Sequence, residues 1–186
     1  MTAVAQKKLT AGDFIAWSLA QPEPVRADLI DGVIYAHAAE RIFHLRVKHK
    51  AAVALDAALS KAKLPCHVLP DGATVRISET TAFEPDALVY CGPELPGDAI
   101  EVPNPVIVIE VLSPESEKRD MRDKLDGYFR VPSIEHYLIL DPEERLVIHH
   151  TRGQGDVRGT RIVHDGELQL DPPGILVDVA DLFGAR

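Results

Sequence analysis

Three charged residues have the types and spacing to do chemistry. Glu110 ends the aliphatic run Val106-Ile107-Val108-Ile109. Asp86 stands 24 residues earlier, after Pro85 and before a second apolar run, Ala87-Leu88-Val89-Tyr90. Lys124 follows Glu110 on a charge-rich stretch. A Val/Ile-rich run reads as a strand buried on both faces. A carboxylate at the end of such a strand is costly unless something pairs with it. Two carboxylates on neighbouring strands can hold a divalent ion through oxygen. Magnesium, or manganese in its place, suits one or two carboxylates completed by water and phosphate. A nearby lysine can offset the charge that builds on an attacked phosphate. The plainer reading makes Asp86 a strand cap, Glu110 half of an ion pair and Lys124 a solvated cation.

The elements that must position these residues follow from pattern. Thr10 and AGDFIAWSLAQ read as a capped helix. Asp31-Gly32, between Asp28-Leu29-Ile30 and Val33-Ile34-Tyr35, is a hairpin signal. Residues 40–61 form the longest helix. Phe43, Val47, Ala51, Ala54, Leu55, Ala58 and Leu59 share one face at 3.6-residue spacing, and His44 falls inside it. Arg46, Lys48, His49 and Lys50 make the first half of that helix basic. Residues 66–69 and 73–77 read as a hairpin around Pro70-Asp71-Gly72, and 161–163 and 168–170 as another around Asp165-Gly166. The helix from about Ser116 to Phe129 carries Met121, Leu125, Tyr128 and Phe129 as its buried stripe. Strands are expected at 134–140 and 146–150, and a last helical turn at 180–183. The order predicts an α/β chain with a mixed sheet between helices.

Bulk properties narrow the function. The 186 residues suit one domain, 1–186. A net charge of −9 argues against a general nucleic-acid coat, which needs a basic face. It leaves room for an enzyme that meets nucleic acid through a metal. Cys66 and Cys91 are far apart and in no metal-ligand spacing, which suggests a reducing cytoplasm. No apolar run approaches the ~20 residues of a membrane span.

Pro85-Asp86, Glu110-Val111-Leu112-Ser113-Pro114, then Asp120, Lys124 and Tyr128, then Tyr137-Leu138-Ile139-Leu140-Asp141-Pro142 resemble the Uma-two family of restriction-endonuclease-like proteins, within the PD-(D/E)XK nuclease superfamily. Leu29-Ile30-Asp31-Gly32 and His44 also fit its N-terminal pattern. The resemblance spans roughly residues 10–150. It implies a restriction-endonuclease-like core at about 40–141, a mixed sheet flanked by helices, with extra N- and C-terminal strands. It implies that Asp86 and Glu110 are metal ligands. The superfamily's usual lysine lies two residues after the acid, where this chain has Leu112; the resemblance moves that role to Lys124 on the following helix. His44 and Asp28 are supporting candidates. Asp120, one helical turn before Lys124, is suited to hold that lysine.

Two functions compete on these residues. One is a metal-dependent endonuclease acting on DNA, expected as a homodimer if it cuts both strands. The other is a binding or assembly module that keeps the fold without catalysis. A hydrolase of small phosphate esters would need a closed pocket.

Overall fold

A computed structural model describes residues 8–112, 120–153 and 158–184. Ser113-Pro114 of the resemblance, and the expected start of a helix at about Ser116, lie outside the described residues. So do the side chains of Asp120, Met121 and Arg122.

Helix α1 (Ala11–Leu19) opens on a capping box. Thr10 Oγ1 accepts from Asp13 N–H at 3.1 Å, and Asp13 Oδ2 accepts from Thr10 N–H at 2.9 Å. The box satisfies two amides that the first helical turn leaves open. Strands β1 (Ala27–Ile30) and β2 (Val33–Ala36) pair antiparallel around Asp31-Gly32. Both turn residues have positive φ, 49° and 81°, as a tight primed turn requires. Helix α2 (Ile42–Ala62) is followed by β3 (Cys66–Pro70), β4 (Val75–Ser78), β5 (Thr81–Phe83), β6 (Ala87–Cys91) and β7 (Pro105–Val111). Next come α3 (Asp120–Tyr128), β8 (His136–Asp141), β9 (Leu146–Arg152), β10 (Arg158–Val163), β11 (Glu167–Leu170), β12 (Ile175–Asp178) and α4 (Val179–Phe183).

The architecture is mixed α/β. A six-stranded sheet has the order β10-β9-β8-β7-β6-β3, and a four-stranded sheet the order β2-β1-β5-β4. In the larger sheet β7 and β8 are parallel, joined through α3; the other pairs are antiparallel. Alternation along β7 sends Ile107, Ile109 and Val111 into a core with Val47, Ala51 and Leu55 of α2. Val108 joins the opposite core, with Phe83, Tyr128 and Ile139. Glu110, two residues beyond Val108, therefore shares the α3 face. The β11–β12 pair and α4 pack onto the α2 side. No helix is long and apolar enough to cross a membrane among the described residues.

The structure corrects four expectations. Residues 66–69 and 73–77 are not a hairpin: β3 pairs with β6, while β4 pairs with β5 in the other sheet. Residues 161–163 and 168–170 are not a hairpin either, because β10 pairs with β9 and β11 with β12. In both cases turn residues predict a turn correctly but not the partner, which sheet-wide packing decides. Phe43 leaves the buried face of α2 and is 51% exposed. Cys66 and Cys91 stand directly opposite each other on β3 and β6 and form a disulfide, so they no longer argue for a reducing compartment.

Candidate functional site

The two strand-end acids meet because β6 and β7 are antiparallel with Ala87 opposite Ile109. One step further along that register, Asp86 faces Glu110. The Asp86 N–H donates to Ile109 O at 3.0 Å, and Asp86 Oδ2 accepts from Val111 N–H at 2.7 Å. The residue is thus held to β7 by its backbone and by one carboxylate oxygen. Both acids line a cavity of about 380 Å³ with Asp28, His44 and Lys124. Five of the six sequence candidates are brought together there. Asp120 lies on the first residue of α3, with its side chain outside the described residues.

Two charge clusters share this cavity. Around Glu110, Lys124 Nζ lies 2.9 Å away, and the Tyr128 hydroxyl donates to the same oxygen at 2.5 Å. Lys124 also reaches Asp28 Oδ2, at 3.2 Å, and Asp28 takes a further contact from His37 at 3.1 Å. Helix α3 can present Lys124 and Tyr128 here because Gly127 faces the Phe83 ring, where a Cβ would collide. Tyr128 in turn packs between Phe83 and Tyr137, at ring-centroid distances of 5.2 and 5.0 Å. Around Asp86, Lys48 Nζ lies at 2.7 Å, Arg26 at 3.2 Å and His44 Nε2 at 3.7 Å. Lys48 and Arg26 both pair with Glu40 as well, and both also reach Asp71.

The electrostatics differ between the two acids. Burial works to raise the Asp86 carboxyl, but His44, Lys48 and the Val111 N–H outweigh it and hold Asp86 far below the usual carboxylate range. Burial pushes Glu110 up to about 7; Asp86 and Asp28 push the same way, against Lys124 and Tyr128. Burial alone would lower Lys124, yet Glu110 and Asp28 raise it well above its ordinary value, so it stays charged. Burial, then Glu110, keeps Tyr128 protonated as a donor.

Sequence reasoning missed Lys48, Arg26 and Glu40. Lys48 belongs to the basic first half of α2, yet only 5% of it is exposed. A signal was present: Lys48 lies four residues after His44 and seven before Leu55, on the face that the helix buries. Arg26 and Glu40 flank the β1–β2 hairpin and carried no such pattern.

The donor set suits a hard divalent cation. Ligand atoms of Glu40, His44 and Asp86 all lie within 4.8 Å of one another. Glu40 Oε2 is buried without a hydrogen-bond partner among the described residues, an open acceptor beside Asp86. Glu110 is outside this trio but in the same cavity.

A family model named Uma2, described as "Putative restriction endonuclease", matches residues 11–180. No curated protein matches the chain. Among solved structures, one described as a putative nuclease belonging to DUF820, from Anabaena variabilis ATCC 29413, superposes with a TM-score of 0.72 at 16% identity. The match covers 94% of this chain and 97% of that one, and shows a shared fold.

Proposed function

Because the chain belongs to the Uma2 restriction-endonuclease family, we propose that it is a metal-dependent endonuclease that hydrolyses phosphodiester bonds of DNA. The observation that carries this reading is the facing of Asp86 and Glu110 across β6 and β7, with Lys124 against Glu110 at 2.9 Å. Asp86 and Glu110, joined by Glu40 and His44, would hold Mg2+ or Mn2+. Bound there, such an ion supplies Lewis-acid chemistry toward phosphate oxygens.

The chain's own residues do the rest. Lys124, charged and anchored by two carboxylates, puts a cation beside the acids to offset charge on the attacked phosphate. Tyr128 fixes the orientation of Glu110 through its short hydrogen bond. Water adds to phosphorus as the bond to the leaving oxygen breaks. The whole chain, 1–186, is taken as the functional unit, and a two-fold dimer belongs to this reading where both strands are cut.

One observation favours a second reading, a non-catalytic binding module. Lys48 and Arg26 already pair with Asp86 and Glu40, so the two carboxylates have cationic partners without an ion. Calorimetric titration with Mn2+, beside cleavage of labelled DNA, separates the two. The nuclease reading expects binding and cleavage that Asp86→Asn and Glu110→Gln each abolish. Wild-type affinity for Mn2+ in both variants would overturn the assignment of the site.

A further inference from the structure

Helix α2 carries more than the site. Its N-terminal turn brings His44 to the cavity, and next to His44 stands Phe43, which also lines the cavity. Phe43 is 51% exposed, unusual for a phenylalanine on the longest helix of the chain. Tyr35 of β2, 39% exposed, lines the same cavity. Three and seven residues after Phe43 come Arg46 and Lys50, both exposed. At 100° per residue these three side chains lie within about 60° of one another, on one ridge of the helix. Arg46 and Lys50 are one helical turn, about 6 Å, apart along the axis. Neither has an ion-pair partner among the described residues, whereas Arg26, Lys48 and Lys124 nearby are all paired. The stem of Lys50 runs beside Gly184, where a side chain would crowd it.

We propose that this ridge is a track for single-stranded nucleic acid, with a base stacked on Phe43 at the cavity mouth and successive backbone phosphates on Arg46 and Lys50. The inference rests on the nuclease reading of the cavity and adds the form of the substrate. Stacking platforms joined to a cationic line are how proteins hold single strands without reading sequence. The charge distribution favours one strand over two. A duplex presents phosphates on both sides of its grooves, and each must meet a cation to release its counterions. Here Arg46 and Lys50 form a short line of cations without ion-pair partners among the described residues, on a chain of net charge −9, so a second strand would meet a predominantly acidic protein. A protein partner is the competing occupant, since Ile42 and Leu45 are exposed nearby. The cations interleaved with them oppose that, because the cores of protein interfaces are depleted in charge, lysine above all.

The test uses the full chain in EDTA, so that binding is read without turnover. Fluorescence anisotropy follows a labelled oligothymidylate of about 12 nucleotides, within the span such surfaces cover, and a duplex of equal length. The single strand is expected to bind more tightly. Phe43→Ala is expected to weaken it about tenfold or more, and Phe43→Trp to restore it. Arg46→Ala and Lys50→Ala are each expected to flatten the log–log salt dependence by about 0.7, the contribution of one phosphate on a single strand. All three side chains are exposed, and unchanged thermal midpoints verify the fold. Wild-type binding by Phe43→Ala, an unchanged salt slope in both cation variants, or equal affinity for the duplex would overturn the proposal. So would a concentration-dependent dimer, seen by light scattering, that Phe43→Ala dissociates. Failure of the two readings is distinguishable. Strand binding without cleavage leaves the track standing and removes the nuclease. Cleavage of duplex without preference for single strands does the reverse.

Discussion

Glu110 is predicted to make the protein less stable as pH rises, and the effect can be isolated. The folded chain holds the Glu110 proton up to about 7, against an ordinary value of 4.5. Between those values the unfolded chain has lost a proton that the folded chain keeps. Stability therefore falls as pH rises through this window and levels off above it. At about 1.4 kcal/mol per pH unit, the loss is about 3 kcal/mol. Other groups oppose it. Asp28 and Asp86 are held low, so their contribution is present above the usual carboxylate range and lost in acid. His136 and His149 are held low by burial, so stability also falls as pH drops below 6.5. These trends are common to the wild type and to Glu110→Gln, and cancel in the difference. In the variant Lys124 keeps Asp28 at 3.2 Å and its charge throughout, so the lost contact adds a constant offset. Urea unfolding of both proteins at pH 4.5 and pH 8 is the assay. The change in unfolding free energy from acid to base is expected to be about 3 kcal/mol less favourable in the wild type than in the variant. Parallel pH profiles would refute the argument that Asp86, Asp28 and burial overcome Lys124 at Glu110.

Three further outcomes are expected. Lys124→Ala should keep Mn2+ binding by calorimetry and lose most turnover, while Leu112→Lys in that background should recover part of it, because Leu112 also lines the cavity. Lys48→Met should destabilise the metal-free protein, by less than the ~3–5 kcal/mol of a fully stranded buried charge because Arg26 still pairs with Asp86 and Glu40, with Mn2+ restoring much of the thermal midpoint. Gly127→Ala should destabilise by about 1–3 kcal/mol in urea unfolding, since the new methyl meets the Phe83 ring that carries α3.

Much of this was legible in the sequence where local pattern and global packing agree. The Val106–Ile109 run had to be a central strand, and its terminal acid had to find a partner. The Asp31-Gly32 hairpin formed as its turn chemistry dictates. The two hairpin failures have one cause. Pro70-Asp71-Gly72 and Asp165-Gly166 bend the chain, but the strand after each bend pairs with the strand that follows it, while the strand before the bend stays in the larger sheet. The second charge cluster was hidden for a related reason. Arg26, Glu40, Lys48 and Asp71 come from four separate places in the chain, and only the folded arrangement gives their charges a common target in Asp86.

The facing of Asp86 and Glu110 is set by strand register, and this divides the chain into segments with opposite tolerance for insertion and deletion. Side chains alternate faces along a strand, so removing one residue between Pro105 and Glu110 would turn the acid from the α3 side toward α2. The connection between β6 and β7 is different. Its exposed stretch 93–94 and 97–99 bears no such constraint, and doubling a loop's length costs only about 0.6 kcal/mol of closure entropy. Natural length variation and engineered grafts should therefore accumulate in that loop, while the two strands it joins stay fixed in length to the residue.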